Sequence, residues 1–188
     1  MASYFITPEG RAVYVQLAAA RVSNLNPNGS PKYTIKVGFA PDSPELKAMK
    51  AEASRLATAQ WGANIPKNLR SPFRVNSELD SPISGIPDDW IVMSFSCNED
   101  RGAPGCVNSK NQRIMDTNEL YSGMWCRVQV NGFTYDKAGN KGVSFGLQNI
   151  QKTRDDEPLG GARPKAESVF EPVDGDTDEA PNPSAVFD

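Results

Sequence analysis

An alternation of twelve residues, 124–135, constrains the fold more than any other part of this chain. Met124, Cys126, Val128, Val130, Gly132 and Thr134 take one set of alternate positions. Trp125, Arg127, Gln129, Asn131, Phe133 and Tyr135 take the other. Successive side chains of an extended chain point to opposite faces, so a period of two predicts a long strand whose first set faces a core. Residues 136–140, Asp-Lys-Ala-Gly-Asn, carry turn chemistry, and 141–151 return as the partner strand.

The remaining punctuation fits a small, mainly β domain. Residues 12–22 form an apolar-rich run, and 24–31 (NLNPNGSP) are turn formers throughout. Residues 32–40 then alternate, with Tyr33, Ile35, Val37 and Phe39 on one face and Lys32, Thr34, Lys36 and Gly38 on the other, predicting a long-looped hairpin. Ser43-Pro44 reads as a helix cap followed by proline in the first turn. Leu46, Met49, Ala53, Leu56 and Ala57 supply the apolar stripe, and Gly62 the stop. Residues 64–88 read as an irregular basic segment with Lys67, Arg70 and Arg74 around Phe73. Residues 90–97 predict a further strand, and 98–111 a loop broken by Gly and Pro. Five strands with one helix and many turns point to a small, partly open β-barrel.

Charge divides the chain. All 20 Lys and Arg residues precede residue 166, where they face 16 acidic residues; residues 166–188 carry seven acidic residues and no basic one. A mildly basic body suits a polyanion, and an acidic tail suits competition for the same surface or recruitment of a partner. The tail's Asp, Glu, Pro, Gly and Ser content predicts disorder.

Several chemistries lack their residues. There is no histidine, which removes the commonest general base and zinc ligand. Cys97, Cys106 and Cys126 form no CxxC pair and read as idle thiols of a reducing cytoplasm. No apolar run approaches the length of a membrane span, and MASYFITPEG has neither a basic n-region nor a long apolar h-region, so no membrane association and no signal peptide are expected. Gly139, Gly142 and Gly146 match neither a phosphate loop nor a dinucleotide fingerprint; they read as a hairpin turn and two strand bends or bulges. Asp88-Asp89 and Asp155-Asp156-Glu157 stand in no recognisable metal motif, so no catalytic residue, metal or cofactor is assigned.

The second face of the 124–135 strand carries the functional signal. Trp125, Phe133 and Tyr135 beside Arg127 offer ring faces for unpaired bases and a cation for phosphate, a combination indifferent to base sequence. The same pattern also serves sheet packing, and both readings stand at this level. Lys32 and Lys36 extend the cationic side, and Lys67, Arg70, Phe73 and Arg74 form a basic cluster around an aromatic, on a segment able to clamp a strand.

Residues 121–161 also carry a resemblance. Tyr121-Ser122-Gly123, then Asn131-Gly132-Phe133-Thr134-Tyr135-Asp136, Gly139-Asn140-Lys141-Gly142-Val143-Ser144-Phe145-Gly146-Leu147-Gln148-Asn149-Ile150-Gln151-Lys152 and Glu157-Pro158-Leu159-Gly160-Gly161 resemble a family of phage-encoded single-stranded-DNA-binding proteins. The resemblance implies a five-stranded OB-type Greek-key barrel over residues 1–161 that coats single-stranded DNA during phage replication or recombination in the host cytoplasm. Residues 162–188 then resemble the acidic C-termini by which single-strand binders dock replication partners. Asp176, Asp178, Glu179, Phe187 and Asp188 are the expected partner-binding residues; such tails typically end on an aromatic, whereas here Asp188 follows Phe187. A rival reading is an interaction module that docks host or phage machinery through its tail without touching nucleic acid. A metal-dependent nuclease using the acidic pairs, and an RNA-preferring binder, are further alternatives.

Overall fold

The computed structural model describes residues 3–24, 26–137 and 139–160. Eight strands and one helix follow in the order β1 (Tyr4–Ile6), β2 (Gly10–Arg21), β3 (Lys32–Phe39), α1 (Pro44–Trp61), β4 (Arg74–Val75), β5 (Ile91–Asn98), β6 (Gly105–Val107), β7 (Trp125–Lys137) and β8 (Asn140–Arg154). The five long strands are those the sequence predicts, within three residues at each end. The other three correct the expectation of five. β1, β4 and β6 have three, two and three residues, too few to display a period, and β6 lies inside the expected 98–111 loop.

Pairing explains why the long strands alternate as they do. β2 and β3 form an antiparallel hairpin, β3 pairs with β5 over eight registers, and β7 pairs with β8 from Trp125–Arg154 to Lys137–Asn140. β7 also meets β2 through Gly10–Cys126 and Arg11–Trp125, and β5 meets β8 in parallel at Ser96–Gly146. These contacts close a ring of pairings, β2–β3–β5–β8–β7 and back to β2. β1 covers the stretch of β7 that β2 leaves, and β4 and β6 sit on the outer edges of β5 and β8.

The ring encloses the core. Met124, just before β7, and Cys126, Val128 and Val130 within it are fully buried, as the alternation requires, with Ile35, Val37, Phe39, Phe95, Phe145 and Ile150. Each large apolar side chain removed from water contributes roughly 1.5–3 kcal/mol. The thiols of Cys106 and Cys126 are pushed up to about 11 and about 12 by burial and are free. Helix α1 caps one side. Ser43 Oγ accepts the Leu46 amide at 3.1 Å, Pro44 opens the first turn, and the Gly62 amide reaches the Thr58 carbonyl. Its stripe, Leu46, Met49, Ala53 and Ala57, is buried, and Leu56 presses on Gly132 so closely that a Cβ there would stand 2.7 Å from Leu56 Cδ1. Among the described residues no helix is long and apolar enough to cross a membrane.

The two glycines expected at bends sit instead at close approaches. The register shifts of β7–β8 fall elsewhere, between Gln129 and Val130 and between Trp125 and Cys126. Gly142 lies under the Tyr135 ring, and Gly146 is where β5 and β7 both meet β8. A side chain at Gly142 would strike the Tyr135 ring, and one at Gly146 would press tightly on the Asn131 side chain.

Candidate nucleic-acid interface

The segment after the helix is anchored, not loose. The Arg70 amide donates to the Lys141 carbonyl at 2.9 Å and its carbonyl accepts the Val143 amide, which fastens it to the start of β8. Arg74 and Val75 then pair with Val92 and Ile91 of β5. Between these fixings Phe73 meets Phe145 edge to face at 5.9 Å, with the Lys50 ammonium 5.9 Å from its centroid. The chain continues through a 3-10 turn, Asn76–Glu78, into a loop held by one buried side chain. Asn76 donates to the carbonyls of Ile83 and Ile86 at 3.1 and 3.0 Å, and its own oxygen accepts the Ile83 amide at 2.8 Å.

This segment and the sheet enclose a groove of about 940 Å³, called here the aromatic groove. Lys36 of β3, Val92 and Ser94 of β5, Tyr135 of β7 and Val143 and Ser144 of β8 line it from the sheet. Arg70, Phe73, Arg74, Glu78, Asp80 and Ile83 line it from the segment. A second groove of about 900 Å³, the amide groove, runs under the 22–31 turn. It is lined by Tyr14, Gln16, Arg21, Asn24, Asn26, Asn28, Lys32, Lys36, Ser96, Asn98 and Lys137, among others. Lys36 and Ser94 line both grooves, so the two join. Each alone is near the upper size of a small-molecule site, and together they suit a chain of repeating units.

Of the nine sequence-selected body residues, Lys36, Arg70, Phe73, Arg74 and Tyr135 line the aromatic groove, and Lys32 lines the amide groove. Among the described residues Lys32, Lys36, Arg70 and Arg74 form no ion pair. Phe133 is 43% exposed and stands across from Ser144 without lining either groove. Trp125 and Arg127 lie elsewhere. Trp125 meets Trp90 edge to face at 6.1 Å, carries the Arg154 guanidinium 3.9 Å from its centroid and donates from Nε1 to Asp156 at 2.7 Å. Arg127 is close enough to Glu9 to help lower its pKa, behind the larger effects of the Thr153 hydroxyl bonded to that carboxylate and of Arg154.

Trp125 belongs to an end cap. After β8, residues 155–159 turn back over Ser122 and Gly123, where the Leu159 amide donates to the Ser122 carbonyl at 2.9 Å. Gly123 has φ +113°, and a Cβ there would run into Glu157 and Pro158. The Tyr121 hydroxyl donates to Asp155, Arg11 donates to the Glu157 carbonyl, and Lys152 pairs with Asp155 at 2.7 Å. The Trp125 hydrogen bond holds the Asp156 carboxyl below its usual range, and the Lys152 hydrogen bond does the same for Asp155. These acidic residues are thus tied into packing, and among the described residues no group of three or more metal-ligating side chains converges.

Tyr14, Arg21, Lys137, Glu78 and Asp80 are groove residues that the sequence reading passed over. Tyr14 stands opposite Lys36, whose ammonium lies 5.7 Å from its ring, and its hydroxyl donates to Gln16. No period in the sequence points to Tyr14, because the register of β2 against β3 shifts between Ala12 and Tyr14. Asp176, Asp178, Glu179, Phe187 and Asp188 lie outside the described residues.

The comparisons with known proteins bear on the same chain. No curated protein matches it. The structure of the single-stranded DNA-binding protein from bacteriophage Enc34 in complex with ssDNA is similar, with TM-score 0.68 and 20% identity, over 84% of this chain and 89% of that one. That of gp2.5, a single-stranded DNA-binding protein encoded by bacteriophage T7, gives TM-score 0.63 and 14% identity over 95% of this chain and 100% of that one. At these identities the likeness is one of fold. The family model described as Enterobacter phage Enc34, ssDNA-binding protein, however, matches residues 4–181, nearly the whole length, and this chain therefore belongs to that family.

Proposed function

We propose that this chain binds single-stranded DNA without sequence preference, in phage replication or recombination in the host cytoplasm, and that the two joined grooves are its track. One observation carries the reading. In a chain of this family, five residues chosen from the sequence for stacking and phosphate contact, Lys36, Arg70, Phe73, Arg74 and Tyr135, line a single groove. Phe73 and Tyr135 would stack on bases, with Phe133 at the rim. Lys32, Lys36, Arg70 and Arg74 would neutralise phosphates. Of the other two expected contacts, Trp125 fits the end cap better than the track, and Arg127 lines neither groove.

The ring order β2–β3–β5–β8–β7, with β5 and β8 parallel, supports reading the body as a five-stranded OB-type Greek-key barrel. Residues 162–188, outside the described residues, are proposed as an acidic tail that competes with DNA for the grooves. Through Asp176, Asp178, Glu179, Phe187 and Asp188 it would also recruit replication or recombination proteins.

The test is fluorescence anisotropy of a labelled poly-dT strand across a salt series, with a duplex of equal length as competitor, for the full chain and for one ending at Lys165. Tight, salt-sensitive binding that ignores the duplex and strengthens without the tail is expected. No binding by either version at low salt would sink the reading in favour of an interaction module acting through its tail.

A further inference from the structure

One feature of the aromatic groove works against phosphate binding. Glu78 and Asp80 line it, whereas the amide groove is lined by Arg21, Lys32, Lys36 and Lys137 and, among the described residues, by no carboxylate. Both carboxylates are exposed, and neither forms an ion pair with a described residue, so they do not serve to hold Arg70 or Arg74 in position. Negative charge facing a polyanion lowers affinity. Their loop is also tied down through Asn76 at Ile83 and Ile86.

We infer that Glu78 and Asp80 are selectivity residues, which turn double-stranded nucleic acid away from a groove that accepts a single strand. The inference rests on the reading of the chain as a single-strand binder. A single strand has one row of phosphates. It can set that row against Lys36, Arg70 and Arg74 and turn its bases to Phe73 and Tyr135. A duplex has a second row, held across a groove about 6 to 12 Å wide, and cannot rotate it away. In the aromatic groove that second row meets the carboxylates, and its paired bases offer no free ring face. The amide groove carries no comparable obstacle, so the discrimination lies in the aromatic groove.

The experiment compares the full chain with the variant Glu78→Gln/Asp80→Asn and a control, Asp88→Asn/Asp89→Asn. The control removes the same charge from exposed residues of the same segment that line neither groove. Affinities for a labelled dT strand and a duplex of equal length are measured across a salt series. The groove variant should gain about fivefold or more on the duplex and only about twofold on the single strand, while the control keeps the wild-type ratio. Equal gains on both substrates, the same change of ratio in the control, or duplex binding still undetectable at the lowest salt would each overturn the inference. A wild-type chain that binds neither substrate would overturn the functional reading, and this inference with it.

Discussion

The two grooves are nearly equal in volume and share Lys36 and Ser94, yet they are built from opposite materials. The aromatic groove is walled by a segment stitched to β8 and β5, which brings Phe73, Leu79 and Ile83 against the sheet beside mixed charge. The amide groove lies under a turn, and the Asn, Ser and Gly residues that let the chain reverse there are also its lining. The difference teaches that a binding surface inherits the chemistry of whatever local structure encloses it. Stitched, partly apolar chain makes a place for rings. Turn-forming chain makes a polar, cationic lining.

The largest effect should come from the amide groove. The triple variant Lys32→Ala/Lys36→Ala/Lys137→Ala is expected to flatten the log–log salt dependence on single strands by about 2, at about 0.7 per lost phosphate contact, with the steepest loss of affinity at low salt. An unchanged slope would break the division between the grooves. Tyr135→Ala should weaken binding by about tenfold, within the 1–3 kcal/mol range for one stacked base, and leave the slope as it was. A fallen slope there would mean that the ring organises cations and does not stack. Trp125→Ala, in neither groove, should change affinity by less than about twofold but lower unfolding stability by about 2 kcal/mol, read by urea denaturation. If a folded Trp125→Ala chain loses affinity as Tyr135→Ala does, the outer face of β7 is one continuous surface and the partition into grooves fails.

Much of this is legible in the sequence. The β7 core face, the capped helix and the β2–β3 hairpin follow from period and punctuation, because each is decided by neighbours close in sequence. Arg70, Phe73 and Arg74 were legible as a basic cluster around a ring, but not as a wall, since their fixing to Lys141 and Val92 is long-range. Trp125 shows what alternation leaves out. It assigns Trp125 and Tyr135 to one face, but ten steps of about 3.3 Å put them roughly 30 Å apart along a twisting strand. One end meets Trp90 and Arg154, the other the groove. Tyr14 was hidden by the shift of register between Ala12 and Tyr14. An unbroken period from buried Ala12 would have set Tyr14 on the inner face; the one extra residue there brings it out beside Lys36.

Asn76 fixes the aromatic groove's wall at Ile83 and Ile86 before any ligand arrives. On the proposed reading, the conformational entropy lost on binding would therefore fall mainly on the nucleic acid. If the groove is the track proposed above, strands already stacked, such as runs of adenine, would first have to be unstacked, while thymine runs would reach it supple. A protein that reads no base can still rank sequences in this way, by the stiffness each strand brings with it.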